Sequence, residues 1–79
     1  MAYDRDRDLP KLMPIYDEEL ADTSLRGRIH VFQLITVSLA MERLRGLGGH
    51  HDYSLPRHEA LVEARDLEFA AIQKMRKAA

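Results

Sequence analysis

The residues best suited to chemistry are histidines and carboxylates that lie between positions 50 and 63. Imidazole and carboxylate groups bind zinc, iron or manganese. The set consists of His50, His51, Asp52, His58, Glu59 and Glu63. Its spacing does not favour a metal site, because neighbouring residues of a helix point about 100° apart and the sequence has no HExxH or ExxH pair.

A polar loop followed by acids near the start of a helix accounts for the same residues, because the helix dipole favours acids there. We therefore expect no metal and no other cofactor. A metal-binding helical protein that uses His50, His51 and His58, with Glu63, stays open as an alternative.

Groups for catalysis are also poorly placed. The serines Ser24, Ser38 and Ser54 lie in helix-cap or helix contexts, and no GxSxG motif surrounds them. The glycines of GLGG follow a predicted helix, whereas phosphate-binding loops precede one. His30 lies in an apolar run, and we interpret it as a buried, hydrogen-bonded side chain. We predict that the chain is not an enzyme and has no catalytic or cofactor-binding residues.

The element that organises the chain is the stretch 23–46, TSLRGRIHVFQLITVSLAMERLRG. Placed on a helical wheel, its apolar residues fall on every side, so such a helix would have to be covered on every side. The β-branched run IHVFQLITV, with apolar residues at odd positions, leaves a strand as an alternative for the first half. We expect a helix, because SLAMERLRG favours one and nothing after Gly27 interrupts the run before Gly46.

The other segments predict shorter or simpler elements. Residues 1–11 contain DRDRD without apolar periodicity, which predicts a charged, flexible arm. Residues 12–79 are predicted to form one small helical domain. Pro14 and the acids after it indicate one or two helical turns over 14–21. Ser54 as N-cap and Pro56 in the first turn predict a last helix over 54–77. The expected fold is all-α, an antiparallel hairpin of two long helices with a short N-terminal helix.

Size and charge narrow the class of protein. The 79 residues include no cysteine, so no disulfide stabilises a domain of this marginal size. A net charge of −1 argues against general nucleic-acid binding, which needs a positive surface, although a small dimeric DNA-linked regulator stays an alternative. The apolar run is too short to span a membrane. The charged N-terminus lacks the apolar region of a signal peptide, which predicts a cytoplasmic protein.

The central stretch has more apolar surface than two shorter segments can cover. We therefore expect a homo-oligomer or a complex with a larger protein. The predicted function is that of a small, non-enzymatic interaction protein, an accessory subunit or regulatory adaptor. Val62 and Phe69 lie off the main stripe of the last helix and suggest a second contact edge. The predicted contact residues are Phe32, Leu34, Ile35, Leu39, Leu61, Phe69 and Ile72.

Overall fold

The chain forms a helical hairpin with two short helices before it. The computed structural model describes residues 3–78, and within that range it contains four helices and no strand. The helices are α1 (Arg5–Leu12), α2 (Asp17–Ala21), α3 (Leu25–Leu47) and α4 (Leu55–Ala78). Contacts between α3 and α4 are the most extensive in the molecule, which measures 44 × 23 × 23 Å. The predicted all-α fold with two long packed helices is confirmed.

The central stretch is a single helix, so the strand alternative for its first half is wrong. Ser24 caps α3, because its Oγ accepts a hydrogen bond from the backbone N–H of Gly27 at 3.1 Å. The turn after the helix includes Gly49, whose φ of 64° lies in the left-handed region that glycine adopts without strain. Local capping at both ends therefore agrees with the helix-forming sequence between them.

The last helix begins where the sequence predicts. The backbone N–H of Arg57 donates to Ser54 Oγ at 3.2 Å, so Ser54 acts as an N-cap. The basic residues Arg76 and Lys77 lie in the last turn, where they complement the helix dipole. Phe32 contacts Phe69 and Glu42 contacts Arg57, a pairing in which residue numbers rise on one helix and fall on the other. The two long helices are therefore antiparallel.

Residues 5–11 of the predicted flexible arm lie in helix α1, and Tyr3 and Asp4 precede that helix. Asp4 caps this helix by accepting hydrogen bonds from the N–H groups of Asp6 and Arg7 at 3.1 and 3.2 Å. Leu9 is fully buried against the rest of the chain. The cap and Leu9 help to hold α1 in place, and neither produces a periodic pattern. Residues 1 and 2 of the predicted arm lie outside the described residues.

The second short helix starts later than the sequence suggests. Helix α2 begins at Asp17, so Pro14 precedes it and does not occupy its first position. The backbone N–H of Tyr16 donates to Glu19 Oε1 at 2.9 Å, which fixes the first turn. Leu20 is 8% exposed and attaches α2 to the core.

The hydrophobic core lies between one side of α3, the inner side of α4 and the two short helices. Its buried members are Leu9, Met13, Leu20, Val31, Ile35, Leu39, Leu61 and Ala64. These residues cover one side of α3 and leave the opposite side open. Among the helices of residues 3–78, none combines the length and apolarity needed to cross a membrane.

Candidate interaction surface

The open side of α3 carries a row of exposed apolar side chains. Val37, Met41, Leu44 and Leu47 follow one another at steps of four, three and three residues, which places them along one side of a helix. Their exposed fractions are 59%, 50%, 68% and 86%. We call these four residues the outer stripe. A contiguous exposed apolar row of this kind marks a binding surface more often than isolated exposed leucines do.

A groove with several acidic residues meets α3 before the outer stripe begins. This groove, of about 560 Å³ between α2 and α3, is lined by Glu18, Glu19 and Asp22, by the basic Arg26, and by His30 and Gln33 of α3. Glu19 Oε2 lies 2.5 Å from Nε2 of His30. A backbone hydrogen bond from Tyr16, and then the contact with His30, lower the pKa of Glu19. His30 is exposed, so its interpretation as a buried side chain is wrong.

Basic groups flank the C-terminal end of the same stripe. Arg43 is exposed and Arg45 half-buried, one on each side of Leu44. Arg45 and Met41 line a cleft of about 680 Å³ that also includes Lys11 and Arg57. Glu42 and Asp52 line the same cleft, and Glu42 pairs with both Arg45 and Arg57, so the positive charge at this end is partly offset.

A buried carboxylate near that basic end ties the hairpin together. Glu42 is fully buried, and its Oε1 accepts hydrogen bonds from Arg57 Nη2 at 2.7 Å and from the Ser54 N–H at 3.1 Å. Arg45 Nη1 donates to Oε2 at 3.2 Å. The Arg57 hydrogen bonds, with those of Ser54 and Arg45, outweigh burial and lower the pKa of Glu42 to about 2. Such a carboxylate stays ionised near neutral pH and positions the loop and α4.

A second buried carboxylate attaches the N-terminal segment to α4. Glu68 is 3% exposed, and its Oε2 accepts a hydrogen bond from the hydroxyl of Tyr3 at 2.8 Å. Arg5 and Arg28 place guanidinium nitrogens 3.5 and 3.9 Å from its Oε1. Burial, and then the neighbouring Glu68, raise the pKa of Tyr3. The apolar periodicity of the last helix indicates an unusual position at Glu68, because this acid interrupts the otherwise apolar stripe.

Most of the predicted contact residues belong to the chain's own core. Ile35, Leu39, Leu61 and Ile72 are at most 3% exposed, so other parts of the same chain cover them. Leu34 is half-buried and packs against the core.

The two predicted aromatic contacts lie at an edge. The rings of Phe32 and Phe69 are 5.7 Å apart between centroids, and Phe69 is 47% exposed. Val62 is half-buried and Leu55 is 56% exposed. This edge and the outer stripe both present apolar side chains to another molecule.

The histidine-rich loop holds a compact group of possible ligands. His50, His51 and Asp52 place ligand atoms within 4.8 Å of one another, and all three residues are exposed. The two imidazole rings stack with centroids 4.6 Å apart. His58 and Glu63, which the metal-binding alternative includes, do not join this group. Instead Nδ1 of His58 lies 2.8 Å from the hydroxyl of Tyr53.

Comparison of the chain with protein-family models, with curated proteins and with solved structures gives no match. A function therefore has to be inferred from the surfaces and buried contacts of the chain.

Proposed function

We propose that this chain is a small, non-enzymatic helical interaction protein, an accessory subunit or regulatory adaptor. The outer stripe of α3 is its contact surface. The observation that carries the proposal is the exposure of Val37, Met41, Leu44 and Leu47 along one side of the longest apolar stretch. Covering these side chains would remove apolar area from water, and that is the main driving force of most protein–protein association.

The contacts of the two buried carboxylates, Glu42 and Glu68, support a structural role for both. Glu42 is held by two arginines and a backbone N–H, and its pKa of about 2 disfavours proton exchange near neutral pH. Glu68 lies between Tyr3 and two arginines at a junction of helices. Glu42 is hydrogen-bonded through both oxygens, whereas Glu68 accepts a hydrogen bond at Oε2 and has only ion-pair contacts at Oε1. These contacts hold helices together, and the proposal gives neither carboxylate a catalytic role.

Affinity capture with matched variants tests the proposal. Met41→Lys places a charge in the outer stripe, and Leu67→Lys places one at an apolar position of α4 outside it. The two side chains are similarly exposed, 50% and 45%, so both variants should fold, which circular dichroism checks. Tagged wild type and Leu67→Lys should retain the same polypeptide, whether another protein or the chain itself, and Met41→Lys should lose it.

Two results would contradict the proposal. In one, Met41→Lys retains the polypeptide as well as Leu67→Lys does, which would place the contact elsewhere. In the other, the wild type binds no polypeptide and stays monomeric in extracts of its own host.

Metal binding is a second candidate function, favoured by the group of His50, His51 and Asp52. Titration of the purified, untagged chain with Zn²⁺ should then show one site that His51→Gln weakens. His58→Gln is the control, because that ring contacts Tyr53 and not the group. Elemental analysis that finds no metal, together with no heat on titration, would remove this candidate.

A further inference from the structure

We propose that a groove at the loop end of the hairpin binds a small organic acid, a monocarboxylate with an apolar body. The groove has a volume of about 390 Å³ and lies between the last turn of α3 and the start of α4. Small-molecule sites combine apolar walls with a few polar groups that select the ligand. This site does not depend on the proposed contact surface, with which it shares only Leu47. Its lining residues are Arg43, Gly46, Leu47, Tyr53 and His58.

The aromatic wall of this groove, the ring of Tyr53, is held in place by both long helices. A Cβ at position 46 would lie 2.8 Å from Cε1 of the ring, so Tyr53 packs directly on the backbone of Gly46 in α3. The Tyr53 hydroxyl lies 2.8 Å from Nδ1 of His58 in α4, and the two rings meet edge to face with centroids 5.8 Å apart. These contacts keep the ring from turning away from the groove.

The loop that carries Tyr53 is also fixed. The backbone carbonyl of Asp52, on one side of it, accepts a hydrogen bond from Arg57 Nη2. The backbone N–H of Ser54, on the other side, donates to Oε1 of Glu42 at 3.1 Å. Arg57 and Glu42 are themselves paired at 2.7 Å. The buried pair thus shapes the groove before any ligand binds, which reduces the ordering cost of binding.

The groove carries a positive charge that no acid among its lining residues offsets. Arg43 is exposed, and within residues 3–78 its guanidinium has no ion-pair partner. Arg57, by contrast, is paired with Glu42. Glu59 lines an adjoining groove of about 280 Å³ and not this one. Since a planar guanidinium binds a carboxylate through two parallel hydrogen bonds, Arg43 favours a carboxylate ligand.

His58 supplies a second donor for the same ligand. Its Nδ1 contacts the hydroxyl of Tyr53, and we assign the proton of that contact to the tyrosine. The imidazole then carries its own proton on Nε2, which can donate to an anion. One guanidinium and one imidazole N–H suit a single negative charge, whereas a polyphosphate needs several cations. The two side chains therefore select a monocarboxylate.

The apolar part of the ligand would lie on Leu47 and the Tyr53 ring. Leu47 is 86% exposed, so covering it removes apolar surface from water. The α3 side of the groove extends from Arg43 to Leu47, which is about 6 Å of helix. That length fits a small molecule but only about two residues of an extended peptide, at about 3.3 Å per residue. The size of the groove therefore favours a free organic acid.

NMR titration of the isotope-labelled, full-length chain with phenylpropionate tests the site. We expect saturable shifts in the backbone amide signals of Gly46, Leu47 and Tyr53, with a Kd of about 1 mM, since about ten non-hydrogen atoms in an open groove give modest affinity. Phenylpropionamide lacks the charge and acetate lacks the apolar body, so each should bind at least about tenfold more weakly. Equal affinity for phenylpropionamide or for acetate would overturn the proposal, and so would shifts that do not saturate.

Two matched variants locate the carboxylate. Arg43→Gln should raise the Kd for phenylpropionate at least about tenfold, because it removes a charge-assisted contact. Arg76→Gln removes an exposed arginine from the last turn of α4, outside the groove, and should bind like the wild type. The dispersion of the amide signals shows whether each variant is folded. If both variants bind like the wild type, Arg43 does not hold the carboxylate, and if both lose affinity equally, the effect is one of overall charge. Either result would overturn the site.

A short peptide that ends in phenylalanine distinguishes the two sources of such a carboxylate. It should bind more weakly than phenylpropionate, because only about two of its residues fit the groove. Tighter binding of the peptide would make the ligand a chain terminus and would overturn the free acid. These measurements involve no partner protein, so their outcome is independent of the outer stripe as a contact surface.

Discussion

Arg57 of α4 binds the carboxylate of Glu42 of α3 through both Nε and Nη2, with Nη2 2.7 Å from Oε1 and Nε 3.1 Å from Oε2. The same Nη2 also donates to the backbone carbonyl of Asp52. One guanidinium therefore joins both long helices and the loop between them. Bidentate arginine–carboxylate contacts fix geometry as well as charge, so this pair sets how α4 meets α3.

Glu42→Gln should destabilise the fold. The substitution leaves Arg57 and Arg45 without their counter-charge, while Gln keeps the volume and part of the hydrogen bonding. Breaking a buried ion pair costs roughly 3–5 kcal/mol. We expect about 2 kcal/mol, because the Arg57 side chain is 33% exposed and can be partly hydrated. Urea unfolding followed by circular dichroism measures the difference, and Glu59→Gln, at an exposed position of α4, is the control. Equal midpoints for Glu42→Gln and Glu59→Gln would show that the pair contributes nothing.

The stabilisation from Glu42 should disappear in acid. Its pKa is lowered from 4.5 to about 2 in the folded chain, so below 4.5 the unfolded chain takes up the proton first. Falling pH therefore favours unfolding until the pH reaches about 2, where the folded carboxyl is also protonated. The difference in Tm between wild type and Glu42→Gln should be constant above 4.5 and should narrow towards pH 2. A difference that stays constant through this range would contradict the lowered pKa.

Leu9→Ala should destabilise the whole chain, because Leu9 is fully buried where α1 meets the core. Removing a buried leucine side chain costs about 2–5 kcal/mol. Leu67→Ala, at a leucine that is 45% exposed, should cost well under half as much. Thermal unfolding of both variants measures the contrast. If Leu9→Ala unfolds at the wild-type temperature, Leu9 does not anchor α1, and residues 1–11 behave as the flexible arm that the sequence suggests.

Gly27→Ala should also destabilise the fold, although alanine favours a helix. A Cβ at position 27 would lie 2.5 Å from the carbonyl oxygen of Asp22 and 2.5 Å from its Oδ1. That carboxylate accepts hydrogen bonds from the N–H and hydroxyl of Ser24, so it cannot move without loosening the start of α3. We expect a loss of about 1–3 kcal/mol from this overpacking. Gly48→Ala is the matched control, since its Cβ would lie 3.4 Å from the nearest atom and its φ is −82°. Equal stabilities would contradict the close contact.

Sequence patterns predicted the two long helices because their signals are local. Ser24 and Ser54 are caps, the glycines after α3 end it, and the apolar run between them has no interruption. These signals depend only on neighbours in the chain. The short connection, residues 48–54, then lets the two helices fold back against each other.

Helix α1 and the buried acids could not be predicted in the same way, because they depend on residues far apart in the sequence. Tyr3 and Glu68 are separated by 65 positions, and Arg57 and Glu42 by 15. Pro10 lies inside α1 and weakens it locally, so tertiary contacts through Leu9 have to hold that helix.

The exposed side of α3 could not be predicted either, because it too depends on contacts between distant parts of the chain. On a helical wheel the apolar residues of stretch 23–46 lie on all sides, which predicts that some of them stay exposed. The wheel does not show which residues these are. The predicted contact residues include Ile35 and Leu39, which the chain itself buries, but not Val37 and Leu44, which it exposes. The short helices pack through Leu9 and Leu20, and this packing determines which side of α3 is covered. The periodicity of the sequence does not predict that side.

The most direct test of the outer stripe as a contact surface is oxidative footprinting of methionine in an extract of the chain's own host. Met41 is 50% exposed in the isolated chain, while Met75 is half-buried on α4 and serves as an internal reference. If the stripe is covered by a polypeptide, Met41 should oxidise more slowly in the extract than in dilute purified protein, with Met75 unchanged. Equal oxidation of Met41 in both samples, at equal Met75 oxidation, would contradict a covered outer stripe.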